Sequence, residues 1–258
     1  MTVEYVLGLA GLFFAGMLGG AINSVAGGGT LISFPALIAF GVPSIVANAT
    51  NTAAVCPGSI SSAFAYRKDM PNKGGFLWTL LLPSLAGGLA GAVILAITPE
   101  SLFARIVPFL ILFATLLFGT RDFLARLIKI DSGGGEDISG LGKVWGFCFQ
   151  FFVAAYGGYF GAGIGILMLA SLSLMGLHDI HRMNAIKTVL ASIINGTALI
   201  YFILRGLVFW PLAILMASGC VIGGYLGAHF AKGVDQKVLR LFIVSIGLLV
   251  SLWLFVRG

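Results

Sequence analysis

The chain has 258 residues, of which 59% are hydrophobic and only 9% are charged, and its mean hydropathy is +1.06. Soluble domains carry about 25% charged residues, so this composition excludes a water-soluble surface and indicates a polytopic membrane protein. The formal net charge of +6 is explained by basic loops on the cytoplasmic side of a membrane. No basic patch interleaved with aromatic residues is found, so no nucleic-acid partner is expected.

The first apolar region, residues 4–40, is interrupted by the sequence AGGGT at residues 26–30. A helix that crosses the bilayer needs about 20 apolar residues, whereas residues 30–40 extend only about 16 Å at 1.5 Å per residue. We therefore predict a re-entrant hairpin, in which a helix enters the membrane, the chain turns at the glycines and a short helix returns to the same side. The alternative is that the glycines only allow close helix packing.

Six further segments are predicted to be transmembrane helices. They are residues 44–66, 75–97 and 101–125 in the first half of the chain, and residues 180–204, 207–231 and 238–256 in the second half. The remaining region, residues 144–176, contains a second glycine break, GAGIG at residues 161–165. It predicts a second hairpin.

The two halves of the chain match at a constant spacing of 136 residues. The matched blocks are Ala26-Gly27-x-Gly29 with Ala162-Gly163-x-Gly165, Asn48-Ala49 with Asn184-Ala185, and Gly87-Gly88 with Gly223-Gly224. In this register Ile164 is equivalent to Gly28. We interpret the match as an internal duplication with three parts, which are a first repeat at 1–129, a cytoplasmic linker at 130–143 and a second repeat at 144–258.

The distribution of Lys and Arg predicts the orientation of the repeats. Basic residues follow segment 44–66, whereas in the second half they precede segment 180–204. Because cytoplasmic loops are rich in Lys and Arg, these equivalent segments are expected to cross the membrane in opposite directions. The expected fold is an all-α polytopic membrane protein with two inverted repeats, each containing one re-entrant hairpin and three transmembrane helices.

The glycine turns have the features of an anion-binding site. The first amides of a helix have no partner within the helix, its dipole adds about half a positive charge there, and glycines let a ligand approach the backbone. Two inverted hairpins would bring two such ends to the middle of the membrane. The candidate substrate-binding residues in the turns are Gly27, Gly28, Gly29, Thr30, Gly163 and Gly165.

Polar residues at helical spacing follow each hairpin. The candidate side-chain donors are Asn48, Asn51, Thr52, Asn184, Lys187 and Thr188. Polar residues within spans usually face the bundle interior or a cavity, although Asn and Thr also bond to neighbouring helices. For Lys187 the alternatives are a cation that faces an anionic substrate and a side chain that extends to the inner membrane surface.

Other classes of function lack their residues in this sequence. None of the nine Asp and Glu residues lies at the middle of a predicted span, which argues against a cation pore and against a buried proton relay. No metal-binding motif, paired carboxylates or activated nucleophile indicates an enzyme, and no cofactor is expected.

Four motifs resemble the TauE/SafE family, also called the toluenesulfonate uptake permease family. They are GGGTLISFPAL at residues 27–37, ANATNT at 47–52, GGYFGAGIGIL at 157–167 and DIHRMNAIKT at 179–188. The resemblance covers residues 5–256 and implies a multi-pass carrier in the inner (cytoplasmic) membrane that exports sulfite or organosulfonates. Its expected partners are a small anionic substrate and the lipid bilayer, and a homodimer is left open. An anion channel and an accessory protein without transport activity are the alternatives.

Overall fold

The computed structural model describes residues 3–70, 75–120, 140–175, 177, 179–230 and 236–257. Within these residues the chain forms helices and no strand. Residues 130–139 of the predicted linker lie outside the described residues, and a helix already begins at Gly140.

The helices follow the predicted segments closely. In the first repeat they are α1 (Val3–Val25), α2 (Thr30–Ala39), α3 (Ser44–Ala65), α4 (Gly75–Ile97) and α5 (Glu100–Gly119). In the second repeat they are α6 (Gly140–Tyr159), α7 (Ile164–Leu174), α8 (Ile180–Leu204), α9 (Trp210–Phe230) and α10 (Gln236–Arg257). The predicted all-α membrane fold is thereby confirmed.

Among the described residues, five helices are long and apolar enough to cross a membrane: α1, α4 from Leu77 onward, α5, α8 and α9. Helix α3 is not in this group, because it carries two asparagines, two threonines and four serines among its 22 residues. Most of these polar side chains are buried. Helix α3 therefore directs its polar residues into the protein and its apolar residues outward.

The first hairpin turns level with the middle of α3. The Nδ2 atom of Asn51 lies 3.4 Å from Thr30 Oγ1 at the start of α2, and Asn23 Nδ2 lies 3.2 Å from Ser59 Oγ near the end of α1. Helix α2 then returns along α1, since the ring of Phe40 lies 5.8 Å from that of Tyr5. Helix α1 itself extends about 35 Å at 1.5 Å per residue, so only the returning arm is a half-helix.

The hairpins of the two repeats are equivalent at a spacing of 134 residues rather than 136. Helices α1 and α6 end at Val25 and Tyr159, and α2 and α7 begin at Thr30 and Ile164. Helices α3 and α8 begin 136 residues apart, so the second repeat contains two extra residues between these starts. The predicted equivalence of Gly28 and Ile164 is therefore wrong, and Thr30 is the residue equivalent to Ile164.

The two repeats exchange their first helices. Helix α1 packs along α9 of the second repeat, and α6 packs along α4 of the first. Small residues allow these close approaches: a Cβ atom at Gly223 would collide with the backbone of Met17, and one at Gly91 with that of Ala155. These glycines belong to the matched blocks of the two halves, so packing explains the blocks.

Helices α3 and α8 cross near the centre of the molecule. The Sγ atom of Cys56 lies 4.0 Å from the carbonyl oxygen of Ser192, its equivalent at a spacing of 136 residues. Thr50, near the start of α3, accepts a hydrogen bond from the amide of Phe209, which follows the end of α8. The two equivalent helices therefore run antiparallel, which supports the inverted arrangement that the charge distribution predicts.

Candidate functional site

The tips of the two hairpins are in direct backbone contact. A Cβ atom at Gly27 would collide with Gly165 Cα, and one at Gly165 would collide with Gly27 Cα. Gly27 also adopts a φ of 79°, in the left-handed region that other residues rarely enter. At the neighbouring positions, a Cβ atom on Gly28 would meet the Phe118 ring and one on Gly29 would meet the backbone of α1. Close packing thus accounts for these glycines whether or not a ligand binds.

A small polar cavity lies between the hairpin tips and the middle of α3 and α8. It is lined by Asn23, Thr30, Asn51, Thr52, Val55, Phe160, Gly161, Ile164 and Asn195. The cavity leaves about 10 Å³ for the centre of a water molecule, close to the room that one water needs. Three of the predicted side chains, those of Thr30, Asn51 and Thr52, are in this lining.

Two helix N-termini meet at this cavity. Thr30 is the first residue of α2 and Ile164 is the first residue of α7. Among the residues that the structure describes, the amides of Gly28, Gly29 and Thr30 have no hydrogen-bond acceptor. Such free donors, together with the positive end of each helix dipole, favour negative charge. The cavity therefore has the electrostatic character of an anion site.

Lys187 binds the end of α1 instead of lining the cavity. Its Nζ atom lies 2.9 Å from the Ser24 carbonyl oxygen, 3.3 Å from that of Asn23 and 2.9 Å from Asn184 Oδ1. These carbonyls belong to the last turn of α1, which is the negative end of its dipole. The side chain is only 1% exposed, so the alternative that it extends to the membrane surface is wrong.

Asn48 makes a corresponding contact in the other direction. Its Nδ2 atom donates to the carbonyl oxygen of Tyr159, the last residue of α6, at 3.0 Å. A polar helix of each repeat thus satisfies carbonyls that end the first helix of the other repeat. Asn48, Asn184 and Lys187 connect the repeats, and the structure does not bring them into the cavity lining.

The threonine hydroxyls are engaged within their own helices. Thr52 Oγ1 donates to the carbonyl oxygen of Asn48, and Thr188 Oγ1 donates to that of Ala185, each at 2.9 Å. The proton of Thr52 is therefore not directed at a ligand, although its lone pairs can be. Thr188 lies outside the cavity lining.

Two buried amide oxygens have no hydrogen-bond partner among the described residues, Asn48 Oδ1 and Asn51 Oδ1. Burying such an atom unpaired costs about 1–3 kcal/mol, and exceptions to hydrogen-bond pairing often mark an unseen water or ligand. Asn51 is 2% exposed and lines the cavity. Its oxygen is therefore a polar group for which the cavity has to supply the partner.

Two lining asparagines are absent from the predicted set. Asn23 lies two residues before the end of α1, and its polar side chain next to a glycine turn was a usable signal. Asn195 lies seven residues after Thr188, two helical turns along the same face of α8. Both could be found by extending the search for polar residues one turn beyond the turns and the matched motifs. Within the described parts of the chain, no cluster of His, Cys, Asp or Glu could hold a metal ion.

Comparisons with known proteins agree with these features. Residues 12–254 match the family described as sulfite exporter TauE/SafE. The chain is 27% identical over 250 residues to a probable membrane transporter protein of Haemophilus influenzae, covering 94% of this chain and 92% of that protein. It is 31% identical over 252 residues to the probable membrane transporter protein ORF9 of a Sinorhizobium species, covering 95% and 92%.

A third relative is the probable membrane transporter protein YfcA of Escherichia coli, which is 29% identical over 259 residues and is covered to 90%, with 97% of this chain. No solved structure matches the chain. The family match extends over nearly the whole sequence, and the relatives agree in length and description. This multi-pass membrane protein belongs to the TauE/SafE family of membrane transporters.

Proposed function

We propose that this protein exports a small sulfur-containing anion, sulfite or an organosulfonate, across the inner membrane, and that the anion binds in the cavity between the two hairpin tips. The observation that carries the proposal is that the N-termini of α2 and α7 open onto one buried polar cavity. Two helix dipoles directed at one point attract an anion, and the low dielectric of the interior strengthens the attraction. The substrate class comes from the family, whose description names sulfite.

Lys187 supports this site electrostatically from behind. Asn23 lines the cavity with its side chain, and its carbonyl oxygen accepts a hydrogen bond from Lys187. The cation thereby offsets the negative C-terminus of α1, which would otherwise weaken the field of the two N-termini. Lys187 is in this proposal a positioning residue, and direct substrate contact belongs to the turn amides and to Thr30, Asn51, Asn23 and Asn195.

Transport requires the cavity to widen, because it has room for about one water and a sulfur oxyanion is larger. The tips can separate only if the contacts between the repeats loosen. These are the backbone contact of Gly27 with Gly165 and the hydrogen bonds of Asn48 and Lys187. Motion of one hairpin or repeat against the other would open the site to alternate sides.

The membrane potential favours the export direction. A monoanion that leaves the cell gains about 2.3 kcal/mol per 100 mV. The carrier therefore needs no coupling ion to export its substrate. A flux that is independent of voltage and depends on a proton gradient would contradict this part of the proposal.

The first test is thermal unfolding of the purified protein with sulfite, sulfate, thiosulfate, sulfoacetate, taurine, acetate and chloride. A ligand that binds only the folded state stabilises it by about 2.7 kcal/mol at one hundred times its Kd. We expect a sulfur anion to raise the melting temperature of the wild type and to raise that of Thr30→Val less. Thr197→Val is the matched control, since the Thr197 hydroxyl donates within α8 and lies outside the cavity lining. No stabilisation by any anion would contradict the proposed site.

The two rivals differ from a carrier in reconstituted vesicles. A carrier saturates with substrate and shows counterflow, whereas an anion channel passes single-channel current. An accessory protein without transport activity predicts no flux in vesicles that contain only this chain. Saturable counterflow of a sulfur anion, reduced by Thr30→Val and retained by Thr197→Val, is the result expected for the proposed function.

A further inference from the structure

The cavity offers hydrogen-bond acceptors as well as donors. Asn51 Oδ1 is buried without a partner among the described residues, and Asn51 lines the cavity. Its Nδ2 atom donates to Thr30 Oγ1 at 3.4 Å, which leaves Oδ1 as the unsatisfied atom of the amide. Thr52 Oγ1 gives its proton to the carbonyl oxygen of Asn48, so this oxygen also faces a ligand only with lone pairs.

A fully deprotonated oxyanion cannot satisfy these atoms. All its oxygens are acceptors, so it would leave Asn51 Oδ1 unpaired and would face two further partial negative charges. An anion that carries one O–H or N–H group satisfies the donors at the helix ends with its charged oxygens, and it satisfies the acceptor with its own proton. An unpaired buried polar group is a strong means of rejecting the analogue that lacks the matching donor.

The net charge of the site leads to the same class of ligand. Each of the two helix N-termini contributes about half a positive charge, and together they balance a monoanion better than a dianion. The Lys187 ammonium is directed at the last carbonyls of α1, so its charge is shared with the negative end of that helix. A second negative charge in the cavity would have to be desolvated without an equal partner.

We propose that the site selects monoanions that carry their own hydrogen-bond donor, and that for sulfite the bound and transported species is hydrogen sulfite rather than the dianion. This inference rests on the proposed function, because it assigns the ionic form of the substrate at the same cavity. Asn51 is the residue that determines the selectivity. The donor amides at the starts of α2 and α7 bind the charged oxygens.

The test compares hydrogen sulfite with methanesulfonate, a monoanion of similar shape in which a methyl group replaces the donor. Binding is measured by isothermal titration over a pH series through the second ionisation of sulfite, and methanesulfonate, which does not titrate there, controls for effects of pH on the protein. We expect the wild type to bind hydrogen sulfite about tenfold tighter than methanesulfonate, which corresponds to about 1.4 kcal/mol. The apparent affinity for total sulfite should fall as pH rises.

The variant Asn51→Leu removes the acceptor and keeps the turn amides. We expect its affinity for hydrogen sulfite to fall to that for methanesulfonate, while Thr197→Val keeps the tenfold preference. Equal loss of both anions in Asn51→Leu would mean that the amide presents its NH₂ group to the ligand, and it would overturn the inference. If Asn51→Leu does not fold, the wild-type anion pair and pH series still decide the matter.

The outcomes separate this inference from the proposed function. Wild-type binding of both anions with equal affinity, or unchanged sulfite affinity when the dianion dominates, would overturn the selectivity and leave the anion site intact. Absence of binding by either anion at any pH would overturn the proposed site itself. Preference for hydrogen sulfite that Asn51→Leu abolishes supports both.

Discussion

The ammonium group of Lys187 lies 2.9 Å from the carbonyl oxygen of Ser24, across the interface between the two repeats. A positive charge at the C-terminus of a helix offsets its dipole and satisfies carbonyls that have no partner within the helix. The same residue reaches Asn23, whose side chain lines the cavity. The end of α1 is therefore fixed next to the candidate site by a buried cation from α8.

Replacement of Lys187 by Met is expected to lower stability by about 1–3 kcal/mol, since carbonyls at the end of α1 lose their charged donor while packing volume is largely kept. It should also weaken anion binding, because the negative end of α1 is no longer offset. Thermal unfolding with and without sulfite measures both effects. A variant as stable as the wild type, with unchanged stabilisation by sulfite, would show that Lys187 has neither role.

Gly27→Ala tests the contact between the hairpin tips. Its Cβ atom would be strained by the φ of 79° and would also collide with Gly165. Gly41→Ala is the matched control, because Gly41 has a φ of 90° but a Cβ atom there meets nothing within 4 Å. We expect Gly41→Ala to cost about 1–2 kcal/mol from backbone strain, and Gly27→Ala about 1–3 kcal/mol more from the collision.

Melting temperatures of the two glycine variants, measured in the same detergent, give this comparison. Equal destabilisation by both substitutions would mean that the tips yield to an extra methyl group without cost. The contact between Gly27 and Gly165 would then not restrain the opening of the cavity.

The sequence was sufficient to predict the hairpins, because a triple glycine within an apolar region leaves too few residues for a second crossing. It was not sufficient to align them. Gly27-x-Gly29 matches Gly161-x-Gly163 as well as it matches Gly163-x-Gly165, so the spacing of the later helices was extended to the turns. The two extra residues before α8 become evident only when the helix ends are known.

The side-chain roles were harder to predict than the elements. Thr30, Asn51 and Thr52 were identified as site residues, and they line the cavity. The partners of Lys187 lie 163 and 164 residues away in the sequence, and a composition pattern contains no information about which carbonyl a distant helix presents. The direction of the Thr52 proton is likewise decided by its own helix.

Asp179 makes stability depend on pH at the start of α8. Its carboxylate accepts hydrogen bonds from the amides of His181 and Arg182, and these bonds, with the nearby charge of Arg182, lower its pKa below the ordinary value. A carboxylate with a lowered pKa in the folded state contributes stability above its ordinary pKa of about 3.9. That contribution is lost as pH falls through the lowered folded-state pKa.

We therefore expect the wild type to melt at a higher temperature than Asp179→Asn at neutral pH, with the difference disappearing in acid. Asn is a good N-terminal capping residue without a charge, so the comparison isolates the carboxylate. Melting curves between neutral pH and pH values below the lowered pKa check this. A difference that stays constant down to the lowest pH would mean that the charge of Asp179 does not contribute.

The inverted arrangement predicts on which side of the membrane each connection lies. Lys68 lies in the exposed turn after α3, and Ser101 lies in the first turn of α5 with an exposed side chain. Cys148 is exposed, whereas Cys56 and Cys220 are buried, so a Cys148→Ser background removes the reactive native thiol. In this background a membrane-impermeant thiol reagent applied outside cells should label Ser101→Cys and not Lys68→Cys.

In inside-out vesicles the labelling should reverse, because basic residues such as Lys68 are retained in the cytoplasm. Helix α4 connects the two positions with 23 residues, enough for one crossing of the bilayer, and one crossing requires opposite sides. Labelling of both cysteines from the same side would contradict the orientation of the first repeat. It would also remove the basis for placing the N-termini of α2 and α7 on opposite approaches to one anion.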